Sequence, residues 1–396
     1  MIETKEVKCS ACGTSEVNHR LMFFLRLADE FFEKVNYIYK PLFFLDRSLT
    51  LSDTVEKFLF NLLHTIGIIR YDDDIEKAMN GRSKVVWEEA RRRDIEMKQV
   101  LFFGKKIDHF RAKINGQYYF FNSLPIPPWL PRTGYAWVDD KFAFSERLEK
   151  AGIPSPKTKK ILFYKDALSA FNDFHKPIII KPKLGSLGRH TTTNINTLDG
   201  LKKAFDLARQ ITLSMVAQEH LFGSVYRATV VDGNLVGFYR ASPPFVIGDG
   251  IHTIGELIKE KNKNRSDKVG DIIINTELIN FLDRQGYTID SIIKTGLSIN
   301  LIAKIGRFYG GYTKEMLSEI HPNFHQIFKK ASELVSIPVA GFDLIIEDPT
   351  KDPDTQRWGI IECNSLPFID LHYFALEGEP VNIASYIWDL WDKKTI

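Results

Sequence analysis

Three oxygen-bearing side chains late in the chain, Asp343, Glu362 and Asn364, have the types and spacing of a divalent-cation site. They interrupt two apolar runs, Ala-Gly-Phe-Asp-Leu-Ile-Ile and Trp-Gly-Ile-Ile-Glu-Cys-Asn, separated by a polar stretch at 348–357. Each run reads as a strand and the stretch between them as a hairpin loop. Side chains alternate along a strand, so Glu362 and Asn364 share one face and Cys363 takes the other. In-register pairing would add Asp343 to that face. Two carboxylates and an amide oxygen suit a hard cation such as Mg²⁺ or Mn²⁺, which completes its shell with water and phosphate oxygens. Acids set into Ile-rich strands are costly unless they are paired or coordinated.

A phosphate partner is written at 177–190, Pro-Ile-Ile-Ile-Lys-Pro-Lys-Leu-Gly-Ser-Leu-Gly-Arg-His. A strand ends in Lys181, and a loop follows with Gly185, Ser186 and Gly188. Glycines let backbone N–H groups come close to a phosphate, a hydroxyl adds a donor and the lysine adds charge. The spacing is that of neither a P-loop nor a dinucleotide fingerprint, and a strand rather than a helix follows at 191–194.

The elements that must position these groups follow an α/β rhythm from about residue 80. A helix is expected at 83–93, a buried strand at 99–103, and strands at 110–114 and 118–121 joined by Asn115-Gly116. Leu-Pro-Ile-Pro-Pro-Trp-Leu-Pro at 124–131 reads as an extended crossover between domains. A helix opens near Asp139 and stops at Gly152. Strands at 215–223, 226–231 and 235–240 follow, the last two joined by Asp232-Gly233-Asn234. Helical spacing at 19–35 and 52–64 gives the first eighty residues an apolar face suited to packing or to a homodimer contact. His252 reads as a cap, and His372 as either a substrate contact or a surface residue. An aromatic helix at 384–391 closes the core.

The chain has 396 residues, is 44% hydrophobic and 26% charged, and carries a net charge of +3. That is enough for two or three packed domains, and the near-balanced charge argues neither for nor against a polyanionic partner. Its apolar runs fall short of the roughly 20 residues that span a bilayer, and the first residues lack a signal-peptide shape. A cytoplasmic protein with neither a nucleic-acid nor a membrane partner is expected. Its three cysteines form no disulfide framework. Cys9 and Cys12 have the C-x-x-C spacing of a zinc knuckle, with His19 as a third ligand, but no second pair follows. Two free thiols in a loose terminus is one reading, and a Zn²⁺ shared across a dimer is the other.

Taken together, Lys-Pro with its Gly-Ser-x-Gly loop, Gln-Glu-His-Leu-Phe-Gly at 218–223, Tyr226-Arg227, and Asp343 with Glu362-x-Asn364 resemble the ATP-grasp superfamily of carboxylate–amine ligases. The run Val-Ile-Gly-Asp-Gly-Ile-His-Thr-Ile-Gly-Glu-Leu at 246–257 is similar to the branch of cyanophycin synthetase and the bifunctional glutathione synthetases. The likeness covers about residues 139–375.

It implies an α/β (α+β layered) ATP-grasp fold divided as follows: a helical extension at 1–80, a small α/β domain at 81–138, a subdomain with the glycine loop at 139–217, and a subdomain with the metal site at 218–396. It also implies that Lys141 joins Lys181 on the ATP phosphates and that Gln218, Glu219, His220 and Leu221 take adenine by main-chain bonds. Mg²⁺ would sit on Asp343, Glu362 and Asn364. Arg227, Lys304 and Arg307 would steady the charge of an acyl phosphate. The acid that often holds ribose is replaced by Val225, and Gly-Arg-Phe-Tyr-Gly-Gly at 306–311 replaces the relatives' Asn-Leu-Ser-Thr-Gly-Gly, so a different acid or peptide substrate is expected. A phosphotransferase and a nucleotide-binding regulatory protein are the alternative functions.

Overall fold

The structure is a computed structural model that describes residues 9, 11, 18–27, 53–130, 136–184, 189–267, 269–283, 285–302, 305 and 307–392. Of the expected site residues, Cys12, Gly185, Ser186, Gly188 and Lys304 lie outside the described residues.

The first layer is a four-stranded antiparallel sheet of β1 (Ile69–Asp72), β2 (Glu96–Phe102), β3 (Lys105–Ile114) and β4 (Gln117–Asn122), in that spatial order. Asn115 and Gly116 turn β3 into β4 with φ of 50° and 79°, the paired positive values that a tight hairpin needs. Because β1 belongs to this sheet, the expectation of a purely helical segment before residue 80 is corrected. The four residues Ile-Arg-Tyr-Asp are too short to show their alternation. Helices occupy residues 19–27 and Asp53–Thr65.

The second layer is a sheet of β5 (Thr158–Ile161), β6 (Ile178–Pro182), β7 (Thr192–Ile195) and β8 (Met215–Glu219), ordered β5-β8-β6-β7. Helices Tyr164–Asp173 and Leu198–Arg209 cover it, and Ala167, Ala170, Leu201 and Phe205 pack onto Ile178 and Ile180.

The third layer contains β9 (Ser224–Val231) and β10 (Asn234–Ser242). A small ribbon, β11 (Phe245–Ile247) with β12 (Ser298–Asn300), branches off after them beside helices Ile254–Lys263 and Thr276–Asp283. The sheet is completed by β13 (Tyr312–Glu315), β14 (Val339–Ile346) and β15 (Gly359–Asn364), in the order β13-β10-β9-β14-β15. Helices Lys141–Lys150 and Asn323–Val335 back it, with Phe144, Phe324, Phe328 and Phe342 in one apolar cluster. Gly223, at φ 121°, passes so close to the Ile346 backbone that any side chain would strike it, and this closeness joins the second layer to the third.

The proline-rich stretch, expected as an extended crossover between domains, is buried: Leu124 and Ile126 enter the core of the first layer. The carboxy-terminal helix Ile383–Trp388 closes that same core. Trp388 is 1% exposed and donates its indole N–H to the Val86 carbonyl at 3.0 Å, while Trp391 donates to the Pro125 carbonyl at 2.6 Å. Trp388→Ala is therefore expected to cost about 3–5 kcal/mol. Urea unfolding measures the loss, and a change below about 1 kcal/mol would show that the helix is not an integral part of that core.

Candidate active site

The hairpin of β14 and β15 pairs Asp343 with Glu362 and Gly341 with Asn364. On β14, Phe342, Leu344 and Ile346 point into the apolar cluster, while Asp343 and Ile345 face the other way. On β15, Cys363 is buried in the cluster and Glu362 and Asn364 take the opposite face, as the period of two requires. A β-bulge skips Ile361 in the register and brings it to the same cavity as Glu362. The alternation in the sequence does not reveal that extra residue.

Facing the hairpin, β6, β7 and β8 form the other wall of a cavity of about 210 Å³. Lys141, Lys181, Gln218, Glu219, Leu221 and Glu362 all line it. Lys141 stands at the start of its helix, where Asp140 caps the amides of Phe142 and Ala143 and pairs with Lys183 at 2.9 Å. Lys181 donates to Gln218 Oε1 at 2.7 Å, and Gln218 in turn donates to Thr158. Burial, then the neighbouring charge of Lys141, lowers the Lys181 pKa to about 7 against a partial pull from Glu362. Ile179, Leu221, Ile345 and Ile361 supply apolar walls wide enough for a flat ring.

Glu219 binds Arg357 through Oε2 at 2.7 Å, and its Oε1 is buried without a hydrogen-bond partner. Within 218–221, the amides of Glu219 and His220 donate to the Lys157 and Pro177 carbonyls, so main-chain contacts to a ring would fall to the segment's carbonyls and to the Leu221 amide. His220 does not line the cavity and packs its ring against Phe222.

Arg227, expected to steady an acyl phosphate, forms a two-point ion pair with Asp343 through Nε and Nη2, the latter at 2.7 Å. Burial opposes the charge on Arg227, but the Asp343 carboxylate outweighs it and keeps the guanidinium protonated. A Cβ on Gly341 would lie 3.2 Å from Arg227 Cδ, so the glycine gives the arginine room to cross β14. Arg307 instead meets Asp370 and the Phe374 carbonyl, each at 3.3 Å. Tyr239 lies within electrostatic reach of both pairs. Arg82, from the first layer, adds its charge beside Asp370. Arg82 Nε, Arg307 Nε and Asp370 Oδ1 are buried without hydrogen-bond partners.

His372 contacts no cavity and is fully buried. It bridges Glu315 at 2.6 Å and Thr229 at 2.7 Å, which corrects both readings of it as a substrate contact or surface residue. His252 binds Asp249 at 2.6 Å just ahead of the capping box of Thr253 and Glu256, so the cap expected of His252 is supplied by Thr253. Arg26, from the helix at 19–27, is buried and lines the cavity beside Arg189. Nothing in its local sequence marks it, because the contact spans more than 150 residues.

The residues present fit a divalent ion. Glu362 faces the cavity, the buried amide of Asn364 has an unpartnered Nδ2 that a half-turn exchanges with its oxygen, and Asp343 retains lone pairs beyond those given to Arg227.

No protein-family model matches the chain. The fold is shared with a bifunctional glutathione synthetase from Pasteurella multocida, with a TM-score of 0.55, 22% identity, and coverage of 79% of this chain and 44% of that one. The fold, with two sheets facing each other across a lysine-lined cavity, is of the ATP-grasp type. Among curated proteins, the chain is 31% identical over 260 residues to cyanophycin synthetase of Synechocystis sp., covering 63% of this chain and 30% of that protein. It is 29% identical over 261 residues to the glutathione biosynthesis bifunctional protein GshAB of Streptococcus agalactiae, covering 63% of this chain and 34% of that protein. The chain thus spans about a third of the length of these relatives. No described helix is long and apolar enough to cross a membrane.

A lysine held down to about 7 regains its proton when a polyphosphate arrives, so nucleotide binding above that pH takes up a proton. Affinity then falls as pH rises from about 7 toward the higher value of the complex. Calorimetric titration of a non-hydrolysable ATP analogue, in two buffers of different ionisation enthalpy, is expected to show uptake approaching one proton, and uptake should vanish in Lys181→Met. Equal heats in both buffers would contradict the assignment.

Proposed function

We propose that the chain is an ATP- and Mg²⁺-dependent ligase that joins a carboxylate to an amine as an amide. The observation that carries this reading is the single cavity lined on one side by Lys141 and Lys181 and on the other by Glu362. The lysines bind the β- and γ-phosphates, and the apolar walls take the adenine. Mg²⁺, held by Asp343, Glu362 and Asn364, offsets the charge that builds on the transferring phosphoryl group.

A substrate carboxylate oxygen attacks the γ-phosphorus, the bond to the β-bridging oxygen breaks, and ADP leaves with that oxygen. The acyl phosphate is then attacked at its carbonyl carbon by the neutral amine. Phosphate departs and the amine nitrogen loses a proton. Arg227, fixed by Asp343, stands next to the metal-binding side chains and offers a preorganised positive charge there.

Arg307, Arg82 and Asp370 support an amino acid or peptide as substrate. Guanidinium groups recognise a carboxylate, and a carboxylate recognises an ammonium group. Buried groups of both kinds lie together, and three of their polar atoms have no hydrogen-bond partner.

The test is incubation of the protein with ATP, Mg²⁺ and mixed acids and amines, read by ADP release and mass spectrometry. An amide formed only when acid and amine are both present supports a ligase. A stable phosphorylated acceptor would replace this reading with phosphotransfer, and binding without turnover would replace it with a regulatory role. Asp370→Asn is expected to raise KM for the substrate that carries the ammonium group about tenfold or more, with nucleotide affinity unchanged. An unchanged KM would remove Asp370 from the substrate site.

A further inference from the structure

Away from the nucleotide cavity, the described residues bring together a second set of metal-ligating atoms. Cys9, His19 and His190 offer a sulfur and two ring nitrogens, all within 4.8 Å of one another. Cys9 Sγ is 3.8 Å from His190 Nε2, and the two imidazole rings meet edge-on with centroids 4.8 Å apart. In a tetrahedral zinc site, bonds of about 2.3 Å to sulfur and 2.0–2.1 Å to nitrogen place those atoms about 3.6 Å apart.

His190 is the fixed member. It is 1% exposed, and its Nδ1 lies 2.7 Å from the Leu207 carbonyl, which holds the proton on Nδ1 and turns the Nε2 lone pair toward Cys9. Its amide also donates to the Ala11 carbonyl at 3.2 Å, so the backbone beside Cys9 is docked independently of the side chains. A thiol–imidazole hydrogen bond would need only two of the three groups. The third at the same point is what marks a metal site.

We propose that Cys9, His19 and His190 bind a zinc ion that fastens the amino-terminal segment to the chain just before β7. One thiolate and two imidazoles favour Zn²⁺ over the hard ion of the nucleotide cavity. The fourth tetrahedral position is left to water. His19 and Arg26 are seven residues apart on one helix and so share a face. Arg189 adjoins His190. The ion thereby holds two arginines at the cavity wall, a consequence that rests on the nucleotide reading although the zinc site itself does not.

Tag-free full-length protein, dialysed against metal-free buffer, is expected to retain one zinc per chain by elemental analysis. Replacement with Co²⁺ should give the d–d bands of a tetrahedral ion together with a thiolate charge-transfer band. Cys9→Ser should abolish the charge-transfer band, and His19→Ala, at a half-exposed position, should cut zinc content severalfold with an unchanged circular dichroism spectrum. Wild-type protein without stoichiometric zinc and without the cobalt–thiolate band would overturn the proposal. Full zinc loss in His19→Ala with unaltered affinity for an ATP analogue would overturn its link to Arg26 and Arg189. The cobalt spectrum needs no nucleotide, so failure of the ligase reading would leave it unaffected.

Discussion

Two buried lysines set the terms for this molecule. Lys141 and Lys181 reach one cavity from different elements, and burial together with the charge of Lys141 disfavours the charge of Lys181. Glu362 across the cavity relieves only part of that strain. In the proposed function a polyanion relieves the rest, and a divalent ion beside Glu362 lets the acid and the anion coexist. The ATP-grasp layers, with one sheet carrying a lysine and another carrying acids, are the frame on which this arrangement is built.

The frame explains why charge can persist inside it. Asp343 is held by Arg227, Lys183 by Asp140 and Glu219 by Arg357, so these charged groups are already paired and do not compete for the lysines. Breaking such a buried pair leaves an uncompensated charge, which costs more than the pair itself contributes. Beyond Arg227 the ionic network runs through Tyr239 to Arg307, Asp370 and Arg82, and so reaches from the hairpin to the first layer. The small first domain is therefore tied electrostatically to the hairpin as well as by packing.

Much of the frame was legible in the sequence because it is encoded locally. Asn115-Gly116 and Asp232-Gly233 specify their hairpins by backbone chemistry, and Phe342, Leu344 and Ile346 alternate with Asp343 and Ile345 as a half-buried strand must. Lys181 and Glu362 stood out as cavity groups because each ends an isoleucine run with a charge. What could not be read was long-range. Arg26 and His190 become informative only once distant segments meet, and the bulge at Ile361 adds a residue that periodicity does not register. The His372 ring has no hydrogen-bond partner within its own stretch of sequence, and it is Glu315 and Thr229, far along the chain, that hold it fully inside. The roles expected of Arg227 and Arg307 were named without their carboxylate partners, which are 116 and 63 residues away.

The central claim is that the lysine pair and the hairpin acids hold opposite ends of one metal–nucleotide complex. The direct measurement is the affinity of a non-hydrolysable ATP analogue, with and without Mg²⁺, for the wild type, Glu362→Gln and Lys181→Met. The account requires Mg²⁺ to tighten binding in the wild type and to do so far less in Glu362→Gln, while Lys181→Met weakens binding whether or not the ion is present. Equal affinities for all three proteins under both conditions would contradict it.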